Sequence, residues 1–290
     1  MPESEVRPAS EIWRPGFKSR MEHSFLSLTT HVLRAIRVKR YPMKVHIILH
    51  ESFEAPAAIE IWAIRKNHEI TYTRLYDGDT LPQHVEDIDF LVVMGGPQSP
   101  ATTKDECPYF DAGKEIECIK KAISEGKCVL GVCLGAQLIG EAFGATFEHS
   151  TNKEIGAFEL ALTADANNDP VFSKFPKKFL VGHWHGDMPG LAPESKVLAT
   201  SQGCPRQVVR YTPKVYGFQC HFEFTSEAIE GMIRQGGREL NEGKGLPFVQ
   251  SEEALRKQDY DSMNKLLFTF LDYMENAQQK KPETGTRSTD

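Results

Sequence analysis

The sequence predicts an α/β fold in which a mostly parallel central sheet is flanked by helices. From residue 43 onward, short apolar runs typical of strands alternate with segments of helical spacing. Two of these runs, 90–94 (FLVVM) and 128–132 (CVLGV), are apolar almost throughout, as expected for strands buried on both faces. Strands that alternate with helices pair in parallel through right-handed crossovers. We therefore expect a layered domain.

The predicted elements follow one another in chain order. The first half holds strands at 44–50, 69–76, 90–94 and 128–132, and helices at 55–66, 109–125 and 134–143. The second half holds shorter β-like runs at 179–182, 196–200, 207–211 and 215–219, and then helices at 226–240 and 251–276. Gly126 and Gly144 are natural stops for two of the helices. One folded domain, closed by a C-terminal helix, is expected over 43–277.

Both ends of the chain differ from this domain. Residues 1–42 carry eight Lys and Arg against four acids and show no strong apolar period before about residue 24. We expect a basic, poorly ordered N-terminal extension, although an Arg-rich, acid-poor segment is also typical of a transit peptide. Residues 278–290 are polar and contain Pro282 and Gly285, so a disordered tail is expected.

Composition excludes several classes of function. A formal net charge of −6 gives no basic face for nucleic acid. No stretch approaches the roughly 20 apolar residues that span a bilayer, and no secretory signal is recognisable. The six cysteines are too sparse for a disulfide scaffold in a chain of 290 residues. We expect reduced thiols, a cytoplasmic location and no membrane contact.

The sharpest local motif surrounds Cys133. Gly131 and Gly135 flank it by two residues on each side, and the motif follows a buried strand and opens a helix. This context predicts a tight turn that lifts a nucleophile above the sheet. A thiol at a helix N-terminus also faces the positive end of the dipole, which favours thiolate. A buried cysteine in a glycine-flanked turn is the alternative interpretation.

A second motif places His221 and Glu223 two residues apart at the end of a predicted strand. On an extended chain both side chains point to one face. A histidine beside a thiol acts as base and acid, and a carboxylate behind it fixes the tautomer and stabilises the imidazolium. A structural histidine beside a surface glutamate is the alternative, but a cysteine turn on the same sheet edge favours catalysis.

Two further motifs are weaker on their own. Gly95 and Gly96 follow the 90–94 strand, where backbone N–H groups point into the crevice at the carboxyl end of a parallel sheet. Such groups form half of an oxyanion hole, with the N–H of Leu134 as the other half, although a plain turn also gives this pattern. The spacing of His183, His185 and Asp187 invites a metal interpretation. Because no compact third ligand follows, we expect no metal and a loop that lines the substrate pocket.

Together, GGP, GVCLGAQ, KEIG, HGD and GFQCHFE resemble one family, the class I (triad-type) glutamine amidotransferases, especially the stand-alone proteins similar to the amidotransferase domain of GMP synthase. The resemblance runs from about residue 43 to 224. It implies a flavodoxin-like layered fold, with Cys133 as nucleophile, His221 as general base and acid, and Glu223 as the orienting carboxylate. It also implies that Gly96 and Leu134 donate the oxyanion-hole N–H groups.

By the same resemblance, five residues surround the substrate. They are Gly95, Gln137, His185, Gly186 and Asp187. The implied ligand is glutamine or another γ-glutamyl small molecule, and a thiol triad needs no cofactor. Cys220 and Phe222 depart from the family's usual small residue or Phe before the histidine and Pro after it. The histidine and glutamate keep their spacing, so we expect catalysis to survive this change.

Three functions remain open from the sequence. The first is a glutaminase that passes ammonia to a separate synthetase or acceptor protein, since no Gly-rich ATP-pyrophosphatase-like loop is present. The second is a γ-glutamyl peptidase acting on glutathione-like compounds. The third is a non-catalytic regulatory homologue, which the intact Cys133, His221 and Glu223 argue against.

Overall fold

The computed structural model describes residues 41–279. This part of the chain forms one nine-stranded sheet with helices packed against it. The strands are β1 Lys44–Leu49, β2 Glu69–Arg74, β3 Phe90–Val93, β4 Cys128–Val132, β5 Glu148–Leu162, β6 Lys178–Met188, β7 Lys196–Thr200, β8 Val208–Thr212 and β9 Val215–Phe218. The α-helices are α1 Ala58–Arg65, α2 Ala112–Ser124, α3 Leu134–Ala142, α4 Ser226–Glu242, α5 Glu252–Lys257 and α6 Asp261–Gln279.

The strand order is β2-β1-β3-β4-β9-β8-β7-β5-β6. The first five strands in this order pair in parallel, and the remaining pairings are antiparallel. The predicted α/β layered fold is confirmed, with a sheet more evenly mixed than expected. The parallel half follows the flavodoxin-like order, in which ligands bind outside the carboxyl ends of the strands.

Two hydrophobic cores lie on opposite faces of the sheet. Along β1, Val45, Ile47 and Leu49 belong to one core, and Ile48 belongs to the other. This alternation follows from the two-residue period of a strand. Trp62 of α1 and Phe270 of α6 fill the first core, while α2 and α3 cover the second. Both faces of β3 and β4 are therefore buried, as their apolar runs predict.

The antiparallel half of the sheet contains the strand segments that the sequence patterns did not predict. Strand β5, Glu148–Leu162, lies wholly before 179–182, the first β-like run that was expected in this half. It pairs with β6, which extends to Met188 and so places 183–187 on a strand instead of the predicted loop. Polar residues dominate 148–154, so neither a helical nor a strand period stands out there.

The predicted helix at 251–276 is broken into α5 and α6. Asp259 causes the break, because its carboxylate accepts hydrogen bonds from the backbone N–H of Asp261 and the hydroxyl of Ser262. These bonds compete with a continuous helix and start a new one. Helix α6 then runs to Gln279, into the predicted tail. Most of the expected extension (1–42) and tail (278–290) lies outside the described residues.

Within residues 41–279, no helix combines the length and apolar character that crossing a bilayer requires.

Candidate functional site

The predicted motifs meet at the carboxyl ends of three neighbouring parallel strands. Gly95 and Gly96 follow β3, Cys133 follows β4, and His221 follows β9. Since these strands are adjacent in the sheet, their ends open into one crevice. Cys133, Gln137, Gly96, His185 and neighbouring residues line a cavity of about 500 Å³ there.

The backbone at Cys133 is strained. The residue has φ 52° and ψ −109° and directly precedes α3. A Cβ on Gly131 would clash with the backbone of Gly135, and a Cβ on Gly135 would clash with the carbonyl oxygen of Val93. Both glycines are therefore required for the close strand-to-helix turn, as the sequence predicts. The backbone N–H of Cys133 donates to the carbonyl of Phe218 at 2.7 Å, which ties the turn to β9.

His221 is held on three sides. Its Nδ1 lies 2.6 Å from Oε1 of Glu223, its ring stacks on Phe224 at 4.3 Å between centroids, and its backbone N–H donates to the carbonyl of Gly182. Nδ1 carries the hydrogen when it donates to the carboxylate. Its other nitrogen, Nε2, is buried and has no hydrogen-bond partner within normal limits among the described residues. Nε2 is thus available to the thiol.

Cys133 and His221 shift each other's protonation. Burial raises the pKa of the Cys133 thiol, and the proximity and charge of His221 only partly oppose this effect. Burial alone would lower the pKa of His221, but the charge of Glu223, the nearby thiol of Cys133 and the hydrogen bond to Glu223 hold that pKa well above its ordinary value. The carboxylate thus stabilises an imidazolium beside the sulfur.

The backbone N–H groups of Leu134 and Gly96 are the predicted donors of the oxyanion hole. Leu134 is the first residue of α3, so its N–H has no acceptor within the helix, and it lowers the pKa of Cys133 by hydrogen bonding to the sulfur. The N–H of Gly96 has no acceptor among residues 41–279. Leu134 also lies against Gly96, since a Cβ on Gly96 would come 3.2 Å from Cδ2 of Leu134.

Gln219 contacts the sulfur and was not singled out from the sequence. Its Nε2 lies 3.4 Å from Sγ of Cys133, and its Oε1 accepts a hydrogen bond from Nε2 of Gln137 at 3.3 Å. The sequence does contain a signal for Gln219, because Gln219, His221 and Glu223 are spaced two residues apart along the chain. The predicted substrate residue Gln137 lines the cavity, and its Oε1 is buried without a hydrogen-bond partner in the part of the chain that the structure describes.

The wall opposite Cys133 is formed by β6. The carbonyl of Trp184 lies 3.8 Å from Sγ, and His185, Gly186 and Asp187 line the cavity. Asp187 accepts a hydrogen bond from His149 at 2.6 Å. Residues 185–187 therefore line this cavity, and they lie on a strand and not on the predicted loop.

Behind His185 is a buried polar cluster. Glu154, His185 and Cys204 bring one potential metal-ligand atom each within 4.8 Å of one another. Both oxygens of Glu154 already accept hydrogen bonds, from the hydroxyl of Ser201 at 2.8 Å and from Nε2 of Gln207 at 2.6 Å. These bonds account for the buried carboxylate without an ion, and Glu154 belongs to the KEIG motif. The cluster fixes one side of His185.

Glu54 is a second residue that the sequence did not indicate. Its carboxylate lies where a Cβ on Gly95 would be, and that position is 3.2 Å from Cβ of Cys133. Burial raises the pKa of Glu54 to about 7, against the charges of His221 and His50 that lower it. When ionised, Glu54 also raises the pKa of Cys133.

The C-terminal helix supports Glu223 from behind. Nδ2 of Asn264, on α6, donates to the carbonyl of Phe222 at 2.8 Å and to that of Phe224 at 3.0 Å. These carbonyls flank Glu223, whose own carbonyl accepts from the N–H of Ala58. The main chain around the carboxylate is therefore fixed by two helices.

The chain is similar to known proteins in both sequence and structure. The family model of class I glutamine amidotransferases matches residues 41–237. The glutamine amidotransferase-like protein YfeJ of Salmonella typhimurium is 46% identical over 239 residues, which cover 82% of this chain and all of YfeJ. The crystal structure of SMU.1228c is 47% identical, has a TM-score of 0.78 and covers 80% of this chain and 99% of that one.

Similarity also extends to GMP synthase. The glutamine-hydrolysing GMP synthase of Borreliella burgdorferi is 34% identical over 106 residues, which are 36% of this chain and 20% of that enzyme. The expected likeness to GMP synthase is therefore found over a limited segment.

Proposed function

Because the chain belongs to the class I glutamine amidotransferase family, we propose that it hydrolyses the γ-carboxamide of glutamine through Cys133, His221 and Glu223. The observation that carries the proposal is the arrangement of His221. Glu223 holds one ring nitrogen at 2.6 Å, and the other has no hydrogen-bond partner within normal limits in the described chain and interacts with the thiol of Cys133. The order of thiol, imidazole and carboxylate supports acyl transfer with Cys133 as nucleophile, His221 as base and Glu223 as orienting carboxylate.

In the first half of the reaction, His221 takes the thiol proton and Sγ of Cys133 bonds to the γ-carbonyl carbon. The carbonyl oxygen becomes an oxyanion and accepts hydrogen bonds from the N–H groups of Gly96 and Leu134. Removal of one such donor typically costs about 2.7–4 kcal/mol of transition-state stabilisation. As the carbon–nitrogen bond breaks, His221 returns its proton to the leaving nitrogen, and ammonia departs from a γ-glutamyl thioester.

In the second half, water attacks the thioester carbon and gives a proton to His221. The oxyanion forms again at the same two N–H groups. The carbon–sulfur bond then breaks, glutamate leaves, and the proton on His221 restores the thiol of Cys133. Glu223 keeps its charge throughout and stabilises the imidazolium in each half.

The amino-acid end of the substrate has candidate partners in the cavity. We assign this role to the five predicted residues Gly95, Gln137, His185, Gly186 and Asp187, of which the last four line the cavity. Oε1 of Gln137, which has no hydrogen-bond partner within residues 41–279, supplies a buried acceptor.

The size of the cavity favours a second candidate, hydrolysis of γ-glutamyl peptides. A cavity of about 500 Å³ continues from Cys133 to Gln235, Arg238 and Glu242 of α4. Pockets of this volume hold drug-sized ligands, and free glutamine is smaller. The charged residues on α4 offer partners for a leaving group that carries its own charges, as a glutathione-like compound does.

As a glutaminase, the chain would serve a separate synthetase or acceptor protein that uses the ammonia. All six cysteines are buried free thiols, which suits the reducing conditions of the cytoplasm.

The test is release of ammonia and glutamate from glutamine by the purified full chain, beside Cys133→Ala. Glutathione and γ-glutamylalanine are assayed in parallel. Activity on glutamine that vanishes in Cys133→Ala supports the glutaminase. Cleavage of the peptides without glutamine hydrolysis supports the peptidase. No Cys133-dependent turnover of any of the three would contradict both and leave the non-catalytic role.

A further inference from the structure

A buried pair of side chains lies directly behind the candidate oxyanion hole. His50 follows β1, and Glu115 lies in the first turn of α2. Both side chains have no exposed surface, and Nε2 of His50 lies 2.8 Å from Oε2 of Glu115. The second ring nitrogen, Nδ1, lies 3.0 Å from the carbonyl oxygen of Gly95.

The hydrogen-bond partners of His50 determine which of its ring nitrogens carry protons. Both partners of His50, a carbonyl and a carboxylate oxygen, are acceptors, so Nδ1 donates to Gly95 and Nε2 donates to Glu115. Burial lowers the pKa of His50, but the charge of Glu115 and the hydrogen bonds to Glu115 and Gly95 outweigh burial and raise it overall. Both ring nitrogens of His50 thus face oxygen acceptors, and the direction of the pKa shift agrees with this arrangement.

The carbonyl that accepts from His50 belongs to a particular peptide unit. Its oxygen is that of Gly95, and its N–H is that of Gly96. In a planar trans peptide the C=O and N–H point in opposite directions. When His50 holds the carbonyl on the buried side, the N–H must face the cavity beside Cys133.

This peptide needs such an anchor. It joins two glycines, which have more backbone freedom than any other residue and could turn the unit over. A reversed unit would aim a carbonyl oxygen at the developing oxyanion. The imidazole lies close behind the unit, since a Cβ on Gly96 would come 2.9 Å from Cβ of His50. A charged donor on the carbonyl also polarises the N–H of the same peptide.

We propose that the His50–Glu115 pair is a positioning device that keeps the N–H of Gly96 pointing at the oxyanion. The proposal rests on the assignment of Gly96 to the oxyanion hole in the proposed function. His50 acts through the backbone and does not touch the substrate.

A purely structural role explains the pair less well. Apolar replacements of a buried ion pair are often neutral or stabilising, because desolvation offsets the attraction between the charges. In addition, Oε1 of Glu115 is buried with no hydrogen-bond partner among residues 41–279. A pair that leaves one polar atom unsatisfied is a poor means of stabilising a core.

The experiment compares two reactions of Cys133 that differ in one respect. Acetylation by p-nitrophenyl acetate forms a carbon–sulfur bond through an oxyanion, breaks the ester bond and releases p-nitrophenolate. Alkylation by iodoacetamide displaces iodide at a saturated carbon and forms no oxyanion. The ratio of the two rates therefore reports the oxyanion hole without requiring glutamine turnover, and Cys133→Ala gives the background of both.

The test variant is His50→Gln with Glu115→Gln, and the matched control is Glu115→Gln alone. Both lack the buried ion pair, but only the control keeps an Nδ1–H that reaches Gly95. Loss of an oxyanion donor typically costs 10²–10³ in rate, so loss of its anchor is expected to lower acetylation about 10- to 100-fold with alkylation unchanged. The control is expected to lose about three- to tenfold, because a neutral imidazole polarises the peptide less.

An acetylation-to-alkylation ratio that stays within twofold of the wild type in the folded double variant would overturn the proposal. So would an equal fall in both rates, which would place the effect on the thiol. If the double variant does not fold, the ratio of the Glu115→Gln single variant decides by the same criterion. Glutamine hydrolysis by the wild type is measured separately, so failure of the glutaminase assignment is distinguishable from failure of this one.

Discussion

Gln219 places Nε2 3.4 Å from the sulfur of Cys133, so the thiol has an amide donor as well as the imidazole of His221. Gln219 is fully buried, and its carbonyl oxygen accepts a hydrogen bond from Gln137, which fixes the direction of the amide. The sulfur of Cys133 therefore lies beside Gln219 and His221, which follow β9, and at the N-terminus of α3.

Replacement of Gln219 by Met is expected to make Cys133 less reactive. The change removes a donor that stabilises the thiolate and keeps the volume of the side chain. A hydrogen bond of this kind contributes about 1 kcal/mol, so alkylation by iodoacetamide at pH 7.5 is expected to slow about fivefold. The measurement is the alkylation rate of Cys133 by mass spectrometry. Equal rates in wild type and a folded Gln219→Met variant would show that the contact does not act on the sulfur.

Replacement of Glu223 by Gln is expected to lower kcat about 10²- to 10⁴-fold, because the imidazolium loses its stabilising charge and its fixed tautomer. The same change lowers the pKa of His221, which the charge of Glu223 helps to hold well above normal. A histidine whose folded-state pKa is raised contributes stability below its unfolded pKa, about 6.5, and loses it as pH rises through the folded pKa. The stability difference between wild type and Glu223→Gln is therefore expected to be largest below pH 6.5. A difference that grows with rising pH, measured by urea unfolding, would contradict this pairing.

Glu54→Gln is expected to have the opposite pH dependence. Burial raises the pKa of Glu54 from 4.5 to about 7, so the folded state holds this proton more tightly than the unfolded chain. Stability is therefore lost as pH rises from about 4.5 to above 7, because each pH unit between the unfolded and folded pKa costs about 1.4 kcal/mol. The variant should be more stable than the wild type by roughly 2–3 kcal/mol at pH 8 and nearly equal to it at pH 4.

Urea unfolding at the two pH values checks this expectation. Glu253→Gln is a suitable control, because its carboxylate is 77% exposed and pairs with Lys257 on the surface. Its effect is expected to stay within about 0.5 kcal/mol at both pH values. A gain from Glu54→Gln of the same size at pH 4 and pH 8 would mean that ionisation of Glu54 is not its source.

Asn264→Ala is expected to destabilise the protein and lower kcat. The carbonyls of Phe222 and Phe224 lose their donors, and an unsatisfied buried group costs about 1–3 kcal/mol, so a loss of roughly 2–4 kcal/mol is expected. Asn276→Ala is the control on the same helix, since Asn276 is exposed and its side chain donates to the carbonyl of Asp272 within its own helix. If Asn264→Ala unfolds at the same urea concentration as Asn276→Ala, α6 does not support the backbone of Glu223.

Two neighbouring glycines of α4 give a matched test of how the helix packs on the site. A Cβ on Gly236 would clash with the ring of Trp184, whereas a Cβ on Gly237 would meet open space. Gly237→Ala is expected to stabilise the protein by about 0.5–1 kcal/mol through helix propensity. Gly236→Ala should instead displace Trp184, whose carbonyl lies 3.8 Å from the sulfur, and lower kcat/KM. Similar effects of the two changes on stability and activity would contradict this packing.

The sequence predicts the parts of the site that depend on local patterns. The buried strands, the glycines around Cys133 and the two-residue spacing of His221 and Glu223 each leave such a pattern. The same two-residue spacing also includes Gln219, which lies two residues before His221.

The remaining parts depend on long-range packing. His50 and Glu54 come from the loop after β1, and Glu115 comes from α2. The topology of the sheet brings them close to Gly95 and Cys133. The first six residues of β5, 148–153, are exposed or half-buried without alternation, so the strand begins with a polar run that has no two-residue period. The break before α6 did have a local signal, an aspartate at 259 followed by a serine at 262, which is typical of a helix start.

The backbone conformation of Cys133 lowers the stability of the fold. A side chain at φ 52° and ψ −109° is strained, and glycine is the residue that tolerates such a conformation best. Cys133→Gly is therefore expected to be more stable than the wild type, whereas Cys133→Ala keeps the strain. Selection for stability alone would favour glycine in this turn, so the proposed role of the Cys133 thiol implies a trade-off in which reactivity is gained at the expense of a less stable fold.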